Sequence, residues 1–67
     1  MTAPIALRES CLIERARACA AGFDRIGRTF SAGLTRDMAD AIERGMPGCL
    51  YEYWIGQQEA RLQECMS

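Results

Sequence analysis

Apolar residues in this chain recur three and four positions apart, and no stretch alternates apolar with polar residues at period two. Spacings of three and four keep side chains on one side of a helix with 3.6 residues per turn, whereas a half-buried strand needs period two. Few residues are β-branched, so strand propensity adds nothing against this reading. The chain is expected to be all-α: a compact bundle of about four helices, two long and two short.

Glycines and one proline divide the pattern. A first helix is expected over 5–21, with Pro4 near its start and Gly22 as its C-terminal stop. Ile5, Leu12, Ile13, Ala16, Cys19, Ala20 and Phe23 fall on one side of it as the core stripe. A short second helix over 23–31 places Phe23, Ile26 and Phe30 together and stops at Gly33. The third, over 35–45, starts at Thr35 as N-cap, carries Asp37 in its first turn, and closes at Gly45 and Pro47. Met38, Ala39 and Ile42 point inward, and Asp37, Asp40 and Glu43 form an acidic outer ridge. The fourth, over 48–66, is striped with Leu50, Tyr51, Trp54, Ile55, Leu62, Cys65 and Met66, which commits Tyr51 and Trp54 to the core.

A chain of 67 residues buries only about 60% of the surface its unfolded form exposes, so one modest core is the ceiling. Its 49% apolar content is too high for disorder, and no run approaches the ~20 apolar residues that span a bilayer. The first eleven residues lack a basic leading region and a cleavage site, so no signal peptide is read there. The expectation is a single cytoplasmic domain over 1–67, away from membranes. All eight cations are Arg, and nine carboxylates leave a net charge of -1, which argues against a chain whose main work is neutralising phosphates. The charges are unevenly spread: residues 1–36 hold six Arg and three acids, and residues 37–67 hold two Arg and six acids. Such asymmetry suits two oppositely charged solvated faces, a head-to-tail pair of copies, or an external partner.

Both long helices carry a second, narrower seam opposite the core stripe. On the first it holds Leu7, Cys11 and Ala18; on the fourth, Cys49, Tyr53, Gly56 and Ala60 recur at offsets of four, three and four. A helix apolar on two sides is usually sandwiched, and a chain this short has few neighbours of its own to offer. Gly56 inside a helix costs about 1 kcal/mol relative to Ala, which close approach of another backbone would offset. Tyr53 is the best single anchor for a partner, since Tyr and Trp bury large areas at little entropy cost. The candidate partner-binding set is therefore Tyr53, Gly56, Ala60, Cys49, Leu7 and Cys11.

Other chemistry finds little footing. The four cysteines are spaced eight, thirty and sixteen apart with no His, which does not fit the close ligand pairs of a zinc site. Cys11 and Cys19 lie about 12 Å apart along a helix, too far for a disulfide. Contact between Cys19 and Cys65 stays open, and the default for all four is a small buried hydrophobe. Without His or Lys the commonest general base and the amine nucleophile are missing, and the glycines form no phosphate-binding loop. No metal, cofactor or enzymatic activity is expected.

The stretch from Ile26 to Gly45 resembles a helix-turn-helix: a short helix, a turn at Gly33, Leu34, a cap at Thr35 and a second helix. The resemblance covers about twenty residues and departs from the pattern at Arg28, where an apolar residue belongs. The would-be recognition helix is acidic, so any DNA contact would fall to Arg25, Arg28 and Arg36 around the turn. The leading expectation is a small non-catalytic regulator or inhibitor. It would bind another protein, or a second copy of itself, through the exposed seam. Small phage and plasmid inhibitors, anti-CRISPR proteins included, are similar in scale alone. The alternative is a small helix-turn-helix transcriptional regulator.

Overall fold

A computed structural model of the chain describes residues 7–66. Among them the elements are α1 (Leu7–Arg25), α2 (Thr29–Glu43), a single 3-10 turn (Gly48–Leu50) and α3 (Glu52–Met66), with no strand. The all-α class stands, but the count is three α-helices and a 3-10 turn instead of four helices. The radius of gyration is 12.0 Å, against the ~11 Å expected of a compact chain this long. The molecule is drawn out along its helices, with extents of 43 × 17 × 15 Å.

The difference in helix count comes from the glycines. Among the described residues only Gly27 and Gly45 have positive φ, at 79° and 113°. Each ends a helix with the same paired bonds. The Gly27 N–H donates to the Asp24 carbonyl and the Arg28 N–H to Phe23; the Gly45 N–H donates to Ile42 and the Met46 N–H to Ala41. These are the 5→2 and 6→1 bonds of a Schellman motif, which satisfy the last carbonyls of a helix and require a left-handed residue. Gly22 is no stop. α1 runs on through it, because Phe23 behind it is fully buried and Leu62 of α3 packs over the bare Cα: a Cβ there would sit 2.6 Å from Leu62 Cδ2. Gly33 is no stop either. Ala32, Thr35, Met38, Ala39 and Ile42 form one buried stripe that crosses it. Thr35 is accordingly mid-helix and 0% exposed instead of an N-cap, and its hydroxyl donates to the Ser31 carbonyl at 2.8 Å. The segments 23–31 and 35–45 are thus the end of one helix and most of another.

α1 makes its most extensive contact with α2, a smaller one with α3, while α2 and α3 touch least. The three-residue link at 26–28 turns α2 back antiparallel along α1. Alanines 16, 20, 32 and 39, all buried, thin the α1–α2 seam. One core cluster joins Leu12, Ile13, Ala16, Met38, Ala39, Ile42 and Ile55, with Tyr51 against it; a second joins Cys19, Ala20, Phe23 and Ala32, with Leu62 against it. The 3-10 turn docks under the start of α1, where the Gly48 N–H donates to the Glu9 carboxylate at 3.0 Å. Ile5, the first member of the expected stripe, lies outside the described residues; the rest of that stripe is buried.

The charge asymmetry is answered inside the chain. Arg8 pairs with Glu52, Arg15 with Glu59 at 2.5 Å, and Arg17 with both Glu43 at 3.0 Å and Asp40 at 3.4 Å. Basic α1 thus meets the acidic second half of the chain. Arg36 adds a pair with Asp24 at 2.5 Å. Exposed pairs contribute about 0–1 kcal/mol each, so they select the register between helices more than they hold the fold.

Candidate protein-binding surface

Because α3 is anchored chiefly on α1, an open groove remains between α2 and α3. Its volume is about 340 Å³, and Leu34, Met38, Tyr53, Trp54, Gln57, Gln58 and Arg61 line it. The inward face of α3 consists of buried Ile55 and Gln58 and half-buried Leu62, continued by half-buried Tyr51 just before the helix, at successive offsets of four, three and four from Tyr51. Trp54 precedes Ile55 and is turned about 100° from it, which points the indole across the groove instead of into the core. Trp54 is 58% exposed, against the expectation that it belongs to the core; Leu50 and Met66, also placed in that stripe, are exposed as well. The expected stripe covered too wide an arc, and only its centre meets α1. Cys65 is exposed and so makes no core contact with Cys19.

On the α2 side Leu34 is half exposed, and Phe30, one turn earlier, is 83% exposed. Phe30 and Ile26 were expected to group with Phe23 on one short helix. Once α1 extends to Arg25 and α2 begins at Thr29, the three no longer share a helix. Tyr53 and Trp54 pack edge to face with ring centroids 5.2 Å apart. The base of the groove is tied down by Gln58, whose Nε2 donates to the Thr35 hydroxyl at 3.2 Å. Gln58 was not among the expected site or core residues. Its place midway between Ile55 and Leu62 on the helical repeat was the signal for its burial.

Of the six expected partner-binding residues, Tyr53 lies in the groove. Cys49, Gly56 and Ala60 sit on the outer side of the 3-10 turn and α3, and Leu7 and Cys11 are exposed on α1. A Cβ on Gly56 would meet nothing within 4 Å, so no neighbour among the described residues accounts for that glycine. Arg25, Arg28 and Arg36 gather around the α1–α2 turn, with Arg36 engaged by Asp24. The helix-turn-helix outline is not formed, since α2 is continuous through Gly33 and the turn lies at 26–28.

Hydrogen bonding raises the Arg8, Arg15 and Arg17 guanidinium pKa values, chiefly through Glu52, Glu59 and Glu43 respectively. Cys19 is buried, and desolvation pushes its thiol up; Cys11, Cys49 and Cys65 are exposed free thiols, contrary to the expectation that all four are buried. Among the described residues there is no group of three or more His, Cys, Asp or Glu able to hold a metal, and no helix long and apolar enough to cross a membrane. No protein-family model, curated protein or solved structure matches the chain.

Proposed function

We propose that this chain is a small non-catalytic protein-binding module, a regulator or inhibitor that docks through the groove between α2 and α3. One observation carries the reading. Leu34, Tyr53 and Trp54 leave apolar surface in solvent along a groove, and Phe30 stands exposed one turn before Leu34 on α2, although the chain has few large side chains to spare from its core. Exposed apolar patches beyond a few hundred Å² mark interaction sites on soluble proteins, and partly open Trp and Tyr are the residues that dominate binding energies. Tyr53 remains the anchor expected from the sequence, joined by Trp54 and Phe30. The outer seam of Gly56 and Ala60 takes second place, because it offers neither a hollow nor a large side chain.

Photo-crosslinking in the native cell tests this. A benzophenone amino acid at position 30 should capture a protein, whereas the same probe at Glu14, exposed on α1, should not. Capture at Ala60 in place of position 30 would move the interface to the outer seam. With the partner in hand, Trp54→Ala should weaken binding by about 2 kcal/mol or more, roughly thirtyfold.

A further inference from the structure

Beside the groove runs an exposed face of α2. The hollow lies between α2 and α3; next to it the outer side of α2 presents Phe30, Leu34, Asp37 and Ala41 at offsets of four, three and four. That spacing makes a straight ridge whose apolar part is Phe30 and Leu34, with the carboxylate of Asp37 one turn on; apolar anchors at such offsets are how a helix enters a partner's groove. A face holding a hollow and a ridge side by side has the two parts that a self-complementary contact requires. A two-fold contact demands that property, because each copy gives the other what it receives.

Charge and area agree with this. Arg61 stands on the α3 rim of the groove, and Asp37 stands on α2 one turn beyond Leu34. Neither enters an ion pair among the described residues; Arg25, Arg28 and Arg44 share that state, and of these four cations Arg61 is the one that lines the groove. At ~200 Å² per aromatic side chain, the open parts of Phe30, Tyr53 and Trp54 amount to about 400 Å². Leu34 and the polar rim extend that toward the roughly 800 Å² per partner of a stable interface.

We propose that the occupant of the groove is a second copy of this chain. The two copies are related by a two-fold axis, each α2 ridge seated in the other's groove and each Arg61 facing the partner's Asp37. This rests on the protein-binding reading above and names its partner.

Sedimentation of the full chain across a concentration series should show a reversible monomer–dimer equilibrium. Asp37→Arg and Arg61→Asp should each raise the dissociation constant tenfold or more, because like charges then meet on both sides of the axis. Both positions are exposed, so the variants should fold. An equimolar mixture of the two variants should dimerise as the wild type does, since opposite charges again face each other in the mixed pair. A mixture no better than either variant alone would overturn the pairing. The position-30 crosslink separates the two levels of proposal. An adduct of twice the chain mass supports self-association. An adduct of another mass with a monomeric wild type sinks self-association and leaves protein binding standing. No adduct at position 30 or Ala60 with a monomeric wild type sinks both.

Discussion

Thr35 and Gln58 form a polar pair inside an otherwise apolar seam, and each depends on the other. The Thr35 hydroxyl spends its proton on the Ser31 carbonyl and accepts from Gln58. Thr35→Val leaves the Gln58 amide without its acceptor and should cost about 1–3 kcal/mol. The double variant Thr35→Val with Gln58→Leu should cost less than the two single changes together, because no orphaned donor remains; urea unfolding of all four proteins measures the difference. Cys19 makes a second residue-scale test. Under native conditions a thiol reagent should modify Cys11, Cys49 and Cys65 quickly and Cys19 slowly, and denaturant should make all four equal. Its raised pKa also has a sign. The folded chain holds the Cys19 proton more tightly than the unfolded chain, so this contribution is complete below the ordinary thiol pKa near 8.5. It is lost as pH rises through the folded value. Cys19→Ala should flatten the fall in stability on the alkaline side.

At the scale of the element, the glycines separate by what surrounds them. Gly33 lies within α2, and a Cβ there would meet nothing within 4 Å. Gly33→Ala should therefore stabilise the protein by about 0.5–1 kcal/mol, since Ala loses less backbone entropy in a helix. Were position 33 a left-handed turn, the same change would destabilise, so thermal melting of this one variant distinguishes the two architectures. Gly48→Ala should act in the opposite direction. Its Cβ would fall 2.7 Å from Leu12 Cδ1 and 2.8 Å from Glu9 Oε2, crowding the turn that docks beneath α1. A loss of about 1–3 kcal/mol is expected. On α3, Trp54 of the dilute monomer should emit at long wavelength and be quenched readily by acrylamide, as an indole largely in water, and should be shielded as the concentration rises and copies pair.

For the whole molecule, electrostatics sets arrangement more than strength. The ion pairs join side chains that are all more than a third exposed. Raising salt to about 1 M should shift stability by no more than about 1 kcal/mol, read from urea midpoints at two salt concentrations. Net charge of -1, with much of the positive charge of α1 engaged by acids on α2 and α3, also leaves little field for a polyanion. Gel shifts with genomic fragments should show no salt-sensitive complex tighter than the non-specific range of about 10⁻⁴ to 10⁻⁶ M. A discrete complex abolished by Arg25→Glu and Arg28→Glu would overturn this and turn attention to the α1–α2 turn.

The amino-acid sequence by itself determined the helical class, the buried stripe of α1 from Leu12 to Phe23, the inward side of α2 at Met38, Ala39 and Ile42, and the stop at Gly45. All of these follow from local periodicity and cap chemistry. The tertiary structure decided which of Gly22, Gly27 and Gly33 turns the chain. Any glycine can adopt positive φ, and the selection falls to the one whose turn keeps Phe23 and Ala32 in a single core cluster. It also decided which arc of α3 is buried. The helical repeat supplies the angles between side chains, but the position of α1 sets the zero from which they are counted. That offset buries Gln58 and leaves Trp54 in solvent. The same offset opens the groove, since α3 turns most of its buried arc to α1 and meets α2 least.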